Sequence, residues 1–168
     1  HKKGIVYLLQ ALKMLPYHIK LTIVDEGPPL KLTATNLVKS IGVEERVEFT
    51  GKVTIDKLVR LYSTKSILVM SSLHEGFGLP VIEGQVCGKA VITSNISPMK
   101  DIAGVNGACL VNPYKVKEIS NAILNIINNK KYREKLINNG IKNSKHYSPK
   151  LIAKKYMSLY YKLSGFKI

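Results

Sequence analysis

The sequence predicts an α/β fold: a Rossmann-like three-layer α/β/α domain with a mostly parallel sheet. Short β-rich runs alternate with helical segments along the first two thirds of the chain, and the connections between them are short. Parallel strands need crossover connections, which helices normally supply, so this alternation favours a parallel sheet with both faces covered. A length of 168 residues fits one such domain.

The first half of the chain predicts helices and strands in turn. Apolar residues at helical spacing run over residues 4–15 and stop at Pro16. A β-rich run at 19–24 then leads through a loop at 25–29 into a helical stretch that continues to Ile41, where Gly42 closes it. A strand at 47–50 and a helix at 55–62 follow.

The second half continues the pattern and then becomes helical. The apolar run 66–70 predicts a strand buried on both faces. After the loop 71–79, Pro80 opens a helix, because its fixed backbone angle and missing donor suit a first turn. Strands are predicted at 90–93 and 108–111. The remaining helices have apolar positions at Ile119, Ile123, Ile126, Ile127, Leu136, Ile137, Ile152, Tyr156, Leu159, Tyr160 and Leu163.

The composition indicates a soluble globular domain. Hydrophobic residues make up 45% of the chain, and no apolar run approaches the roughly 18 to 20 residues that cross a bilayer. The first residues lack the small-residue cleavage site of a signal peptide, so a cytoplasmic location is expected. A βαβ unit normally opens with a strand, whereas this chain opens with a helix. We therefore expect an N-terminal strand, and a domain before it, to be missing from this sequence.

Cysteines and histidines are too few to suggest a disulfide scaffold or a metal centre. Cys87 and Cys109 stand in apolar surroundings, and we interpret both as small core residues. His18, His74 and His146 are isolated from one another in the sequence, so surface or loop positions are favoured over metal ligation. No metal and no cofactor are expected.

Positive charge is concentrated in the last third of the chain. The net charge is +15, and residues 115–168 hold thirteen Lys and Arg against two acids. This region leaves open a solvated helical face, peripheral contact with an anionic membrane, or a protein partner. It lacks the interleaved aromatics and reader motifs of nucleic-acid modules, so no nucleic-acid partner is expected.

A glycine-rich segment before a predicted helix carries the clearest chemical signal. Two acids, Glu75 and Glu83, bracket this segment and the helix start at Pro80. Glycine lets a backbone approach a ligand closely, and the amides of Gly78 and Leu79 would point toward a ligand at that helix start. A helix amino end suits a phosphate or diphosphate, and the carboxylates suit sugar hydroxyls. The plainer interpretation is a tight turn with exposed acids.

The spacing of Glu75 and Glu83 resembles the Glu-x7-Glu signature of the retaining glycosyltransferases of family four, which have the two-domain GT-B fold. Similarity extends along nearly the whole chain, at Lys3-Gly4, Ile23-Val24, Val47-Glu48-Phe49-Thr50-Gly51, Leu61-Tyr62, Gly88, Val91, Asp101-Ile102-Ala103-Gly104 and Leu110-Val111-Asn112-Pro113. The resemblance implies that residues 1–168 are the nucleotide-sugar-binding domain, the C-terminal half of a GT-B fold. It also implies an acceptor-binding N-terminal domain that this chain lacks, without which we expect no turnover.

The resemblance assigns roles to individual residues. It places Lys3 on the donor diphosphate and Glu75 near the donor sugar and its phosphate, so these two are the catalytic candidates. Glu83 matches the acid that holds the ribose hydroxyls, and the turn after the second strand matches the loop that meets the nucleobase. The donor-binding candidates are Gly76, Phe77, Gly78, Leu79, Glu83, Gly51 and Val53. In such proteins the last helix returns to the N-terminal domain, which would cover Tyr156, Tyr160 and Leu163.

The expected function is retaining transfer of a hexose from a nucleoside diphosphate sugar, a UDP- or GDP-sugar, to an acceptor of a surface glycan such as capsule or lipopolysaccharide. Work at the inner face of a bacterial membrane is the setting that the family suggests. Two alternatives stay open: a nucleotide-sugar epimerase or phosphorylase of the same architecture, and a non-catalytic basic binding module. The sequence leaves the base, the sugar and the acceptor undetermined.

Overall fold

Helices and strands alternate along the computed structural model, which describes residues 2–24 and 28–165. Of the predicted loop 25–29, residues 25–27 lie outside the described part. The predicted helices and strands are observed with ends that differ by a few residues, and the short helix Met99–Ile102 was not predicted from the sequence. In chain order they are α1 (Ile5–Lys13), β1 (Leu21–Val24), α2 (Pro28–Ile41), β2 (Val47–Gly51), α3 (Ile55–Thr64), β3 (Ile67–Met70), α4 (Leu79–Val86), β4 (Ala90–Ser94), α5 (Met99–Ile102), β5 (Cys109–Val111), α6 (Val116–Asn128), α7 (Lys130–Ser144) and α8 (Pro149–Ser164).

All described strand pairings are parallel, which confirms the predicted fold class. β1 pairs with β2, with Leu21 opposite Val47. The other three strands follow the order β3-β4-β5, with Ile67 opposite Ala90 and Ile92 opposite Cys109. Within the described residues the strands thus form a two-stranded and a three-stranded sheet, and helices provide every crossover.

Strand β4 separates two hydrophobic cores. Ala90 and Ile92 face the larger core, which α1, α2 and α6 cover, whereas Val91 faces the smaller core beneath α4 and α5. Successive side chains of a strand point to opposite faces, so one strand serves both cores. The domain is therefore layered helix, sheet, helix around β4.

One strand prediction is wrong in its burial. The sequence pattern predicted that 66–70 is buried on both faces, yet Ile67, Leu68 and Val69 are each half-buried. The reason is strand order: β3 lies at the edge of its three-stranded sheet, and β4 lies at the centre with every residue buried. The local apolar run could not distinguish an edge strand from a central one.

A second correction concerns the cysteines. Cys109 is partly buried in β5, but Cys87 is exposed at the C-terminal cap of α4. The interpretation of Cys87 as a core residue is therefore wrong, because the last turn of α4 presents that position to solvent. His18, His74 and His146 are all exposed, as predicted.

The C-terminal helices divide into a packed part and an exposed part. Ile119, Ile123 and Ile126 of α6 are buried as their spacing predicts, whereas Ile127 lies at the surface. The apolar stripe of α8 is exposed, and its members are Tyr156, Leu159, Tyr160 and Leu163. Within the part of the chain that the structure describes, no helix has both the length and the apolar character that crossing a membrane requires.

Candidate functional site

The chain start and the loop after β3 are joined by backbone hydrogen bonds. The carbonyl of Lys2 accepts from the amide of Leu73 at 2.6 Å and from the amide of His74 at 3.3 Å. Gly4 packs against the same loop, since a Cβ atom on residue 4 would lie 2.0 Å from the carbonyl oxygen of Ser71. Only glycine permits this approach, which brings residue 3 beside the loop.

The two catalytic candidates are in direct contact. Lys3 Nζ lies 2.5 Å from Glu75 Oε1, although the two residues are far apart in sequence. The Lys3 side chain is 57% exposed, whereas that of Glu75 is only 14% exposed. The hydroxyl of Ser72 donates to the same carboxylate oxygen at 2.9 Å. Glu75 is thus held by two donors, one of which is a solvent-facing cation.

Helices α1 and α4 both begin at the carboxyl end of β3. Each starts after a glycine in the left-handed region, Gly4 with φ of 65° and Gly78 with φ of 93°. Gly78 is buried against Met70, and Pro80 lies in the first turn of α4 as predicted, one residue inside the start at Leu79. No side chain among the described residues caps either helix start. The free amides there suit an anionic ligand.

The loop between Glu75 and α4 is open to solvent. Gly76 is exposed, Phe77 is 45% exposed and Leu79 is 59% exposed. The Phe77 ring makes an edge-on contact with the ring of Tyr147, with 6.2 Å between their centres. A large apolar side chain that is held in place yet exposed can cover one side of a bound ligand.

Glu83 lies about one turn inside α4, where it has a partner that the sequence analysis assigned no role. The hydroxyl of Tyr62, on α3, donates to Glu83 Oε2 at 2.7 Å. Tyr62 is half-buried, and its pKa is raised above the ordinary value, first by burial and then by the hydrogen bond to Glu83. The phenol therefore keeps its proton and remains a donor throughout the neutral range.

Gly51 is the last residue of β2, and Val53 lies in the turn that leads from β2 to α3. Gly51 has a φ of 64°, which explains the glycine, and Val53 is partly buried just before Thr54, the N-cap of α3. Among the described residues, no hydrogen bond or ion pair joins Gly51 or Val53 to Glu75 or Glu83. Their link to the site is indirect, through α3 and Tyr62.

A buried polar network anchors α4 from behind. Gln85 is fully buried, and its Nε2 donates to the carbonyls of Ala103 at 2.8 Å and Gly107 at 3.1 Å. Its Oε1 accepts from Nδ2 of Asn143, on α7, at 2.8 Å. This network was not predicted from the sequence, where the available signal was an amide residue amid the apolar positions of α4.

The arrangement combines a cation paired with the carboxylate of Glu75, two helix amino ends near the end of β3, and a second carboxylate, Glu83, about one turn inside α4. A groove of about 360 Å³ continues from it along α1, lined by Gly4, Val6, Tyr7, Gln10 and Leu73. Among the described residues, no group of three or more His, Cys, Asp or Glu side chains is placed to hold a metal ion. The chemistry on offer is therefore anion binding and hydrogen bonding to hydroxyl groups.

Comparison with known proteins gives concordant matches. The sequence profile described as glycosyl transferases group 1 matches residues 1–143. The serotype-specific mannosyltransferase WbdA of Escherichia coli is 34% identical over 124 residues, which is 70% of this chain and 15% of that protein.

Solved structures share the fold. Sucrose-phosphate synthase from Thermosynechococcus elongatus matches with a TM-score of 0.88 at 26% identity, over 99% of this chain and 43% of that one. HepE from Anabaena, solved with UDP-glucose, matches with a TM-score of 0.84 at 20% identity, over 98% of this chain and 46% of that one. The chain thus spans less than half the length of each of these proteins.

Proposed function

The chain belongs to the glycosyl transferases group 1, and on this premise we propose that it is the donor-binding part of a glycosyltransferase. The donor is a nucleoside diphosphate sugar. The observation that carries this proposal is the contact of Lys3 with Glu75 at the strand end where α4 begins. A cation and a carboxylate meet there near a helix amino end, and Glu83 follows one turn inside that helix. This set of groups suits a ligand made of a diphosphate between two sugars.

The diphosphate occupies the amino end of α4. Lys3 supplies one positive charge, and the amides of Gly78 and Leu79 supply hydrogen bonds together with the helix dipole. Lys3 is bonded to Glu75, so donor binding exchanges that partner for a phosphate oxygen. The Lys3 side chain is exposed, which leaves it room to change partner.

Glu83 holds the ribose and Glu75 lies toward the transferred sugar. One oxygen of Glu83 is bonded to Tyr62, which leaves the other free to accept from a ribose hydroxyl. A nucleotide that lies along the start of α4 brings its far end toward the loop that contains Glu75. Gly76 and Phe77, both exposed, then lie along the sugar and diphosphate.

Catalysis consists chiefly of stabilising the leaving diphosphate. The bond between the anomeric carbon and the diphosphate oxygen breaks as the oxygen of the acceptor hydroxyl bonds to that carbon. Negative charge develops on the leaving diphosphate oxygen, and the hydroxyl proton passes to the diphosphate or to water. Preorganised donors at such a position are worth about 3 to 4 kcal/mol each. We infer retention at the anomeric carbon from the spacing of Glu75 and Glu83. We also infer that the acceptor is held by the domain that completes the protein, with its hydroxyl facing the donor sugar.

The transferred group is a hexose, and the product is a surface glycan. The E. coli relative is a serotype-specific mannosyltransferase, which supports a hexose. HepE was solved with UDP-glucose, which supports a UDP-sugar, and a GDP-sugar is the other donor to test. The lysine-rich α8 and its neighbours favour work at an anionic membrane surface, since cationic helices are attracted to such surfaces.

Calorimetric titration with UDP, GDP and their hexose conjugates tests the proposal. We expect one nucleotide to bind. We expect Lys3→Ala and Glu83→Ala each to lower the affinity for that nucleotide by about tenfold or more. Lys20→Ala and Glu48→Ala are matched controls, because each removes one exposed charge elsewhere on the domain. If neither site variant differs from its control, the assignment is wrong.

A further inference from the structure

Two site elements are joined by a single side-chain hydrogen bond. Tyr62 near the end of α3 donates to Glu83 Oε2 on α4 at 2.7 Å, across the gap between the helices. Both residues are partly buried, so the bond is sheltered from water more than a surface pair would be. A sheltered hydrogen bond to an ionised group is stronger than a neutral one.

We propose that Tyr62 is a positioning residue for nucleotide binding, holding the Glu83 carboxylate so that its free oxygen meets the ribose hydroxyls. This inference rests on the proposed function of Glu83. Tyr62 itself need not touch the ligand. Its effect is to select one orientation of a side chain that otherwise samples several.

The phenol of Tyr62 keeps its proton in the neutral range, so it stays available as a donor to Glu83. Burial is the main cause that raises the pKa of Tyr62, and the bond to Glu83 adds to it, so the phenol does not ionise near neutral pH. The proton shared by the two oxygens therefore stays bonded to the Tyr62 oxygen near neutral pH. Glu83 keeps its full capacity as an acceptor on the other oxygen.

Two further hydrogen bonds support the part of α3 that makes this contact. Thr54 caps the start of the helix, with its side chain accepting from the amide of Lys57. Near the end, Lys89 Nζ, just after α4, donates to the carbonyl of Ser63 at 3.0 Å. Residue 63 follows Tyr62 directly, so this second hydrogen bond joins α3 to the α4 region next to the bond with Glu83.

The test compares ribose with dideoxyribose on the same protein samples. Binding of UDP and GDP, and of their 2′,3′-dideoxy counterparts, is measured by calorimetry for the unchanged chain, Tyr62→Phe, Glu83→Ala and the double variant. We expect Tyr62→Phe to weaken the ribonucleotide about three- to tenfold. We expect Tyr62→Phe to leave the affinity for the dideoxynucleotide unchanged. In the double variant we expect it to cause no loss of affinity beyond that of Glu83→Ala alone.

Tyr17→Phe is the matched control. Tyr17 donates to Glu45 at 2.5 Å, so this variant also loses one tyrosine-to-glutamate hydrogen bond, at an exposed place away from the site. It should bind every nucleotide as the unchanged chain does. Both nucleotides are measured on one sample, so a loss of folded protein would reduce both signals together and cannot imitate the expected difference.

The outcomes separate the inference from the proposed function. If Glu83→Ala weakens ribonucleotide binding but Tyr62→Phe does not, the positioning role is wrong and the function stands. The role is also wrong if Tyr62→Phe weakens ribose and dideoxyribose forms equally, because that indicates a structural effect. If Glu83→Ala changes nothing while Lys3→Ala weakens binding, the ribose role of Glu83 is wrong and this inference fails with it, although the donor site stands. If no nucleotide binds, the proposed function is overturned as well.

Discussion

A Cβ atom on Gly4 would lie 2.0 Å from the carbonyl oxygen of Ser71, closer than any real contact of that kind. The left-handed φ of 65° at Gly4 is also unfavourable for other residues. These two facts make residue 4 the point where α1, β3 and the site are joined. The first prediction follows from them.

Gly4→Ala should destabilise the domain by about 2 kcal/mol or more, because it adds both backbone strain and a backbone clash. The measurement is the free energy of unfolding from a urea titration. Gly51→Ala is the control, since its φ is equally positive but nothing lies within 4 Å of the added atom. Equal losses in the two variants would mean that the approach to Ser71 does not matter.

Lys3→Met should cost little stability. The ion pair with Glu75 has one exposed partner, and such pairs contribute less than about 1 kcal/mol. The urea midpoint should therefore stay close to that of the unchanged chain. A large loss of stability would show that Lys3 supports the fold, and its effect on nucleotide binding could then not be interpreted as a direct contact.

Gln85→Leu should destabilise the domain by about 2 to 4 kcal/mol. The substitution keeps the volume but leaves the carbonyls of Ala103 and Gly107 and the amide of Asn143 without their partner in a buried place. Gln10→Leu, at an exposed position on α1, is the control and should be nearly neutral. Thermal unfolding followed by circular dichroism measures both. An unchanged midpoint for Gln85→Leu would contradict the network.

Alkaline pH should weaken the domain through Tyr132. Burial, followed by the interaction with the Cys109 thiol, raises the pKa of Tyr132 to about 12 from 10.0. A raised pKa in the folded state means that the stability from the neutral phenol is complete below pH 10 and is lost as pH rises toward 12.

The measurement is the urea midpoint at about pH 8 and about pH 11. Tyr132→Phe should lose less stability between these two values than the unchanged chain does. Tyr161→Phe, on the exposed helix α8, should behave like the unchanged chain. If Tyr132→Phe and Tyr161→Phe show the same loss, ionisation of Tyr132 is not the cause.

Local pattern was sufficient for the order of elements and for the start of α4. Pro80 and the glycines before it define a helix start whatever the rest of the chain does, and the alternation of strand and helix predicts parallel pairing. Strand order is not written in any local segment, so the edge position of β3 could not be predicted. The exposure of Cys87 likewise depends on which face of α4 is covered.

The candidate site was predicted in part, because only some of its residues belong to a local motif. The motif pointed to Glu75, in the loop before α4, and to Glu83, in α4. The family resemblance pointed to Lys3, near the start of the chain. Tyr62 and Gln85 act through contacts between elements that are distant in sequence, and such contacts depend on how the helices pack. Residues that support a motif are therefore found from coordinates more readily than from sequence.

Helices α1 and α4 both start at the end of β3 after left-handed glycines. The partial positive charge at each start comes from aligned peptide units, which have no proton to lose in water. An attraction for anions that comes from these helix starts is therefore insensitive to pH. Under the proposed function, the diphosphate would keep this part of its binding in alkaline solution.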